Sequence, residues 1–172
     1  IRFIKFYNRI LMSHRKRRAH IKATNLRLGK KVHVDKTIKL RIGNNCEICS
    51  NVCIYGNGTV NIGDNVYVGG GTIIVCNNGE IVIGNDSLLA PQLYIINRDH
   101  IFKKGELIRN QGYKYGDILI GNNCWIGQGS TILLGTKIND GCVIGAKSLV
   151  KGTFKTNMVC FGVPCKEVKE RE

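Results

Sequence analysis

A parallel β-helix is the fold the sequence predicts, and three observations predict it. Between Ile118 and Lys151 an aliphatic residue recurs every six positions: Ile120, Ile126, Ile132, Ile138, Ile144 and Val150. The residue two places before each is mostly small: Ile118, Cys124, Ser130, Thr136, Cys142 and Ser148. Glycines such as Gly121, Gly127 and Gly145 follow the aliphatic anchors, where the chain must turn without a Cβ clash. A helix repeats at about 3.6 residues and a half-buried strand at about 2, so neither gives a strict six. A short strand and a turn wound around an axis do, each rung burying the next.

The period starts raggedly at Leu28 and Val34. It then runs through Ile42, Ile48 and Ile54, through Ile62, Val68 and Ile74 after one longer step, and through Ile83, Leu89 and Ile95 after another. The extra residues are polar and turn-like, Gly56-Asn57-Gly58 and Asn77-Asn78-Gly79, and a coil tolerates insertions at its corners. With three hexapeptides to a triangular turn, about six turns are expected between residues 28 and 152. The β-helix domain is accordingly set at residues 26–152. It is broken by one excursion, about 97–117, and a long loop inside a compact repeat is a place to look for function. Before it, in residues 1–25, Ile1, Ile4, Tyr7, Ile10 and Leu11 fall at helical spacing among Arg and Lys. An amphipathic basic helix is expected there, either capping the open end of the stack or touching a membrane surface. After it, residues 153–172 are expected to form a turn around Pro164 and a short charged helix over Glu167–Glu172.

The net charge of +14 is unevenly placed. Residues 1–31 hold eleven Lys or Arg and no acid, while the other fifteen bases face all twelve acids. The body has no basic face interleaved with aromatics, so nucleic acid is not the expected partner of the basic start; a membrane surface or an anionic carrier lipid is. No apolar run is long enough to span a bilayer. Of the eight cysteines, Cys46, Cys49 and Cys53 have a metal-like spacing, but Cys46, Cys124 and Cys142 occupy the small-residue slot of the repeat. They read as small buried hydrophobes, with no metal expected, in a reducing, cytoplasmic setting.

The run IGNNCWIGQGSTILLGTKINDGCVIGAKSLVKG, followed by FGVPCKEVKE, resembles the hexapeptide-repeat acyltransferases, in particular the sugar O-acetyltransferases of galactosides, maltose and surface polysaccharides. The likeness covers about residues 40–170 and includes the Leu89-Ala90-Pro91 turn, a His entering the long loop, the Trp125-Ile126-Gly127 rung and the Gly162-Val163-Pro164-Cys165-Lys166 tail. The resemblance implies a left-handed β-helix, a homotrimer with sites in the clefts between subunits, and acetyl-CoA as co-substrate. The acceptor it implies is a carbohydrate or sugar-linked hydroxyl in bacterial surface polysaccharide synthesis.

Transfer from a thioester to a hydroxyl needs a base, and His is the side chain that titrates nearest neutrality. His100 matches the family's catalytic position and is the candidate base; an ordinary loop histidine is the alternative. Asp99 and Asn97 are each candidates for orienting its ring or for binding a sugar hydroxyl, a backbone carbonyl being the other way to hold the ring. Tyr113 and Tyr115 are candidates for holding the acceptor or for packing under the loop. By the same resemblance Trp125 lines the pantetheine arm of the cofactor. Gln128 and Ala146 border it, and Lys151, Lys166 and Lys169 lie near its phosphates. Where the family often has Thr-Lys, this chain has Lys151-Gly152. Where the galactoside enzymes place a sugar-binding Asn, it has Val68-Gly69-Gly70-Gly71, which argues against galactose as the acceptor. Other readings are transfer to serine or to the amino group of a nucleotide sugar, and a non-catalytic or carbonic-anhydrase-like β-helix. An anhydrase needs three zinc-binding histidines; His14, His20 and His33 lie outside the well-formed rungs and leave His100 alone.

Overall fold

The computed structural model describes residues 23–172. The amphipathic helix expected at the start falls on residues outside that span. The first turn is built from β1 (Arg27–Leu28), β2 (His33–Val34) and β3 (Lys39–Ile42), and the second from β4 (Glu47–Ile48), β5 (Cys53–Gly56) and β6 (Thr59–Ile62). The third contains β7 (Tyr67–Val68), β8 (Ile73–Cys76) and β9 (Glu80–Ile83). In the fourth, β10 (Leu88–Leu89) and β11 (Tyr94–Ile96) are followed by a hairpin, β12 (Arg98–His100) and β13 (Tyr113–Tyr115), before β14 (Ile118–Ile120) closes the turn. The fifth and sixth are β15 (Trp125–Ile126), β16 (Thr131–Ile132) and β17 (Lys137–Ile138), then β18 (Val143–Ile144), β19 (Leu149–Val150) and β20 (Thr153–Phe154). A seventh rung, β21 (Met158–Gly162), returns to the first face and pairs with β22 (Cys165–Glu170).

Every third strand stacks in parallel, so three sheets form the sides of a left-handed β-helix. The inward column of each side is aliphatic: Ile48, Val68, Leu89, Ile126 and Ile144 on the first, Ile54, Ile74, Ile95, Ile132 and Val150 on the second, Ile62, Ile83, Ile120, Ile138 and Phe154 on the third. All are buried, and each such side chain contributes about 1.5–3 kcal/mol. The small-residue slot is buried too. Cys46, Cys124 and Cys142 donate their thiols to the carbonyls of Gly63, Asn139 and Lys155 on the adjacent turn.

Where a glycine follows an anchor, as at Gly121, Gly127 and Gly145, it has a reason other than backbone handedness. Gly121 is not left-handed, but a Cβ there would lie 2.3 Å from Asp140 Oδ1 and 2.7 Å from its backbone N. The left-handed residue comes two places later, at Asn123, Gly129, Gly135, Gly141 and Lys147 (φ 52° to 73°). The close approach serves a ladder: Asn44, Asp64, Asn85, Asn122 and Asp140 each accept, through Oδ1, the backbone N–H of the equivalent residue one turn earlier at 2.6–3.0 Å.

The end of the chain corrects one expectation. Residues 165–170 form a strand antiparallel to β21, not a short helix. β21 would otherwise present an unpaired edge, and β22 covers it. Glu167 accepts the Lys155 N–H at 2.6 Å, and Arg171 reaches the Gly141 carbonyl at 3.2 Å, which ties the strand to the corner below.

Candidate active site

The excursion expected at about 97–117 is an ordered hairpin. His100 pairs with Tyr113, Asp99 with Lys114, and Arg98 with Tyr115. The ladder is extended at one end by Gly116 N–H to the Asn97 carbonyl (3.0 Å) and at the other by Ile101 N–H to the Gly112 carbonyl (3.1 Å). Beyond it, Gln111 closes the tip. Its Oε1 accepts the Lys103 N–H at 2.6 Å, and its Nε2 donates to the carbonyls of Lys103 and Glu106 at 2.9 and 2.8 Å.

Side chains alternate across a strand, so Arg98, His100, Tyr113 and Tyr115 share one face of the hairpin, and Asp99 and Lys114 the other. The exposed His100 ring lies 4.5 Å, centroid to centroid, from Tyr113 at a 41° tilt, and the Arg98 guanidinium sits 4.7 Å from the centre of the same tyrosine. Asp99 is therefore misplaced for the role expected of it. Its Oδ1 accepts the backbone N–H of His100 (2.9 Å) and its Oδ2 faces Lys114 Nζ at 3.8 Å, so the carboxylate does not hold the imidazole. Among the described residues no hydrogen bond reaches the His100 ring. Asn97 also departs from expectation. It is fully buried, with Oδ1 accepting the Asn77 N–H at 2.8 Å and Nδ2 donating to the Asn77 carbonyl at 3.0 Å. Its polar atoms are spent on the backbone, so it pins the root of the hairpin and is not open to an acceptor.

The candidates for cofactor binding lie elsewhere on the prism. Trp125 projects from the first side, 54% exposed, between Leu88 and Val143. On that same side β18, β21 and β22 follow in order, so exposed Lys166 and Lys169 are three strand spacings from it, roughly 14 Å. Lys169 pairs with Glu172 at 3.2 Å. Gln128 and Ala146 sit at the corner between the first and second sides on successive turns, and Gln128 Nε2 donates to Gln92 Oε1 at 3.0 Å. Lys151 stands apart. It follows β19, at the corner between the second and third sides, two turns along from the hairpin that leaves that corner. His100 and Trp125 are thus on different parts of one chain, separated by the second side of the prism.

Sequence reasoning passed over Arg98, whose place two residues before His100 is a signal only once the segment is known to be a strand. It also passed over Asn77, whose Oδ1 is buried without a partner at the foot of the hairpin, and over Gln111.

Residues 117–152 match the family described as bacterial transferase hexapeptide (six repeats). Over 131 residues the chain is 30% identical to the putative colanic acid biosynthesis acetyltransferase WcaF of Escherichia coli K12, covering 76% of this chain and 69% of that one. The chain belongs to the hexapeptide-repeat transferases. It is also 31% identical over 124 residues to the putative lipopolysaccharide biosynthesis O-acetyl transferase WbbJ of the same organism, across 67% of this chain and 63% of that one. The chain spans between half and two thirds of the length of the first such relatives. Among solved structures, galactoside acetyltransferase in complex with coenzyme A superposes with a TM-score of 0.57 at 27% identity, covering 88% of this chain and 66% of that one.

Proposed function

We propose that this hexapeptide-repeat transferase moves an acetyl group from acetyl-CoA to a sugar hydroxyl, with His100 as general base, at a site shared between neighbouring subunits of a homotrimer. The observation that carries the reading is the separation of His100 from Trp125. A base on one corner and a cofactor platform on another side cannot serve one reaction within a single prism. A heterologous cyclic assembly brings the corner of one copy to the face of the next. The outward residues of the first two sides support such burial: Tyr67, Leu88 and Trp125 on one, Ile73 and Tyr94 on the other.

In this arrangement the thioester lies along Trp125, Gln128 and Ala146 of one copy. Lys151 faces the groove from the copy that contributes His100, and Lys166 and Lys169 supply point charges for phosphate. The imidazole takes the proton from the acceptor hydroxyl as its oxygen attacks the thioester carbonyl carbon. The tetrahedral oxyanion collapses, the C–S bond breaks, and the proton passes from the imidazolium to the departing thiolate. The products are an acetyl ester and free coenzyme A. The names of WcaF and WbbJ, both tied to surface glycans, support a polysaccharide precursor as the acceptor. Eight unbridged cysteines support a reducing compartment.

The test is thiol release from acetyl-CoA against a panel of free, lipid-linked and nucleotide-linked sugars. Wild type is expected to release thiol with a hydroxyl acceptor, and His100→Ala to lose about 10²-fold or more in kcat. Undiminished turnover in the variant contradicts the assignment. With serine and an amino sugar added to the panel, acetylation of the serine hydroxyl or of the sugar amine in place of a sugar hydroxyl moves the acceptor class.

A further inference from the structure

We propose that Tyr113, backed by Arg98, is the positioning residue that sets the orientation of the His100 imidazole. The inference rests on His100 being the base, and it reassigns Tyr113 from the acceptor-lining role its sequence position suggested.

The last side-chain torsion of a histidine is broad, so a ring with no hydrogen bond swings between orientations unless packing stops it. Here the two polar side chains nearest in sequence are otherwise committed: Asp99 to the His100 N–H and to Lys114, Asn97 to Asn77. What touches the imidazole is an aromatic ring. Tyr113 lies directly opposite His100 in the antiparallel pair, the placement that brings two side chains closest on one face. The tilted 4.5 Å approach is within the range favoured by aromatic pairs.

Tyr113 is itself 40% exposed and would be free to turn if nothing held it. Arg98 holds it. It is diagonal to Tyr113 across the pair, within reach of a long side chain, and its guanidinium lies on the ring at 4.7 Å, a cation–π contact. The order of support is guanidinium, phenol ring, imidazole, all on the hairpin face away from the Asp99–Lys114 ion pair. The device relies on the ring of Tyr113 and not on its hydroxyl, and misplacing a base by even about 1 Å costs on the order of 10²-fold in rate.

The experiment compares Tyr113→Phe, Tyr113→Leu and Arg98→Gln in the full chain, with circular dichroism as the check on folding. Two readouts are taken. The first is kcat and KM with acetyl-CoA and the acceptor that the sugar panel selects. The second is the proton resonance of the His100 Cε1–H in the protein without substrate. Tyr113→Phe is expected to match wild type in both. Tyr113→Leu is expected to lower kcat about tenfold or more with each KM within about twofold, and to shift the resonance as the ring current is lost. Arg98→Gln is expected to fall between them. A Tyr113→Leu variant whose resonance does not move overturns the stack, whatever the kinetics. One that raises the acceptor KM at unchanged kcat returns Tyr113 to the acceptor site. A Phe variant as impaired as the Leu variant makes the hydroxyl the working group and overturns the proposal. If the resonance moves but His100→Ala is fully active, it is the reading of His100 as base that fails, and Tyr113 then positions nothing catalytic.

Discussion

Asn97 grips Asn77 at two points, accepting its N–H at 2.8 Å and donating to its carbonyl at 3.0 Å, where the hairpin carrying His100 leaves the prism. This side-chain bond replaces the backbone ladder that the excursion interrupts. Removing it leaves a peptide N–H and a carbonyl unpaired at a half-buried corner. Asn97→Ala is expected to lower unfolding stability by about 2–4 kcal/mol in urea titration. The acceptor KM measured below the transition should stay at the wild-type value. A raised KM with an unchanged urea midpoint would restore Asn97 to the acceptor site.

Two glycines separate close approach from backbone handedness. Alanine at Gly121 would place a methyl 2.3 Å from Asp140 Oδ1, inside the side-chain ladder. Its expected cost is about 3 kcal/mol, since the coil below cannot move away without breaking the ladder. Alanine at Gly135 meets nothing within 4 Å, and the strain is only that of φ 73°, about 1–2 kcal/mol. Thermal unfolding of the two variants should rank them in that order; the reverse order would mean the corner is governed by dihedral strain.

Much of the prism was legible because burial and spacing coincide. Every anchor from Ile120 to Val150 is inward, and a period of six has few other physical solutions. The Asn77-Asn78-Gly79 insertion was legible for the same reason, since a corner absorbs extra residues without shifting a rung. The hairpin was not legible as strands. Arg98 to His100 carries no alternation of apolar and polar residues, because both of its faces lie off the core. Hence Asp99, next to His100 in sequence, lies on the opposite face of the hairpin from the ring. The terminal strand failed differently: Glu167 to Glu172 is charged and short, and only the need to cover the edge of β21 makes it extended.

The thiols divide by burial. Burial pushes Cys160 up to about 12 and Cys76 and Cys124 up to about 11, from an ordinary value of 9.0. Cys46, Cys142 and Cys165 are raised as well, chiefly by burial. Iodoacetamide on the native protein near pH 8 is expected to modify Cys49 and Cys53, the two partly exposed thiols, and to spare the other six. Raised values in the folded state mean the native protein holds protons that the unfolded chain gives up first. This contribution to stability is full below about pH 9 and is lost as pH rises from there through 11 to 12. Urea midpoints should therefore fall across that alkaline window. Labelling of Cys124 or Cys142 in the native protein would show that the coils open locally.

The shared site itself is tested by mixing two damaged proteins. His100→Ala removes the proposed base, and Trp125→Ala removes the proposed cofactor platform, so each alone should be nearly inactive at low acetyl-CoA. Refolded together in equal amounts, copies assort at random, and about one quarter of the sites in a cyclic assembly receive an intact His100 from one subunit and an intact Trp125 from the next. Thiol release returning to about that fraction of wild type is the predicted result. A mixture as inactive as its components would contradict a site built from neighbouring subunits, and with it the account of how this prism performs acetyl transfer.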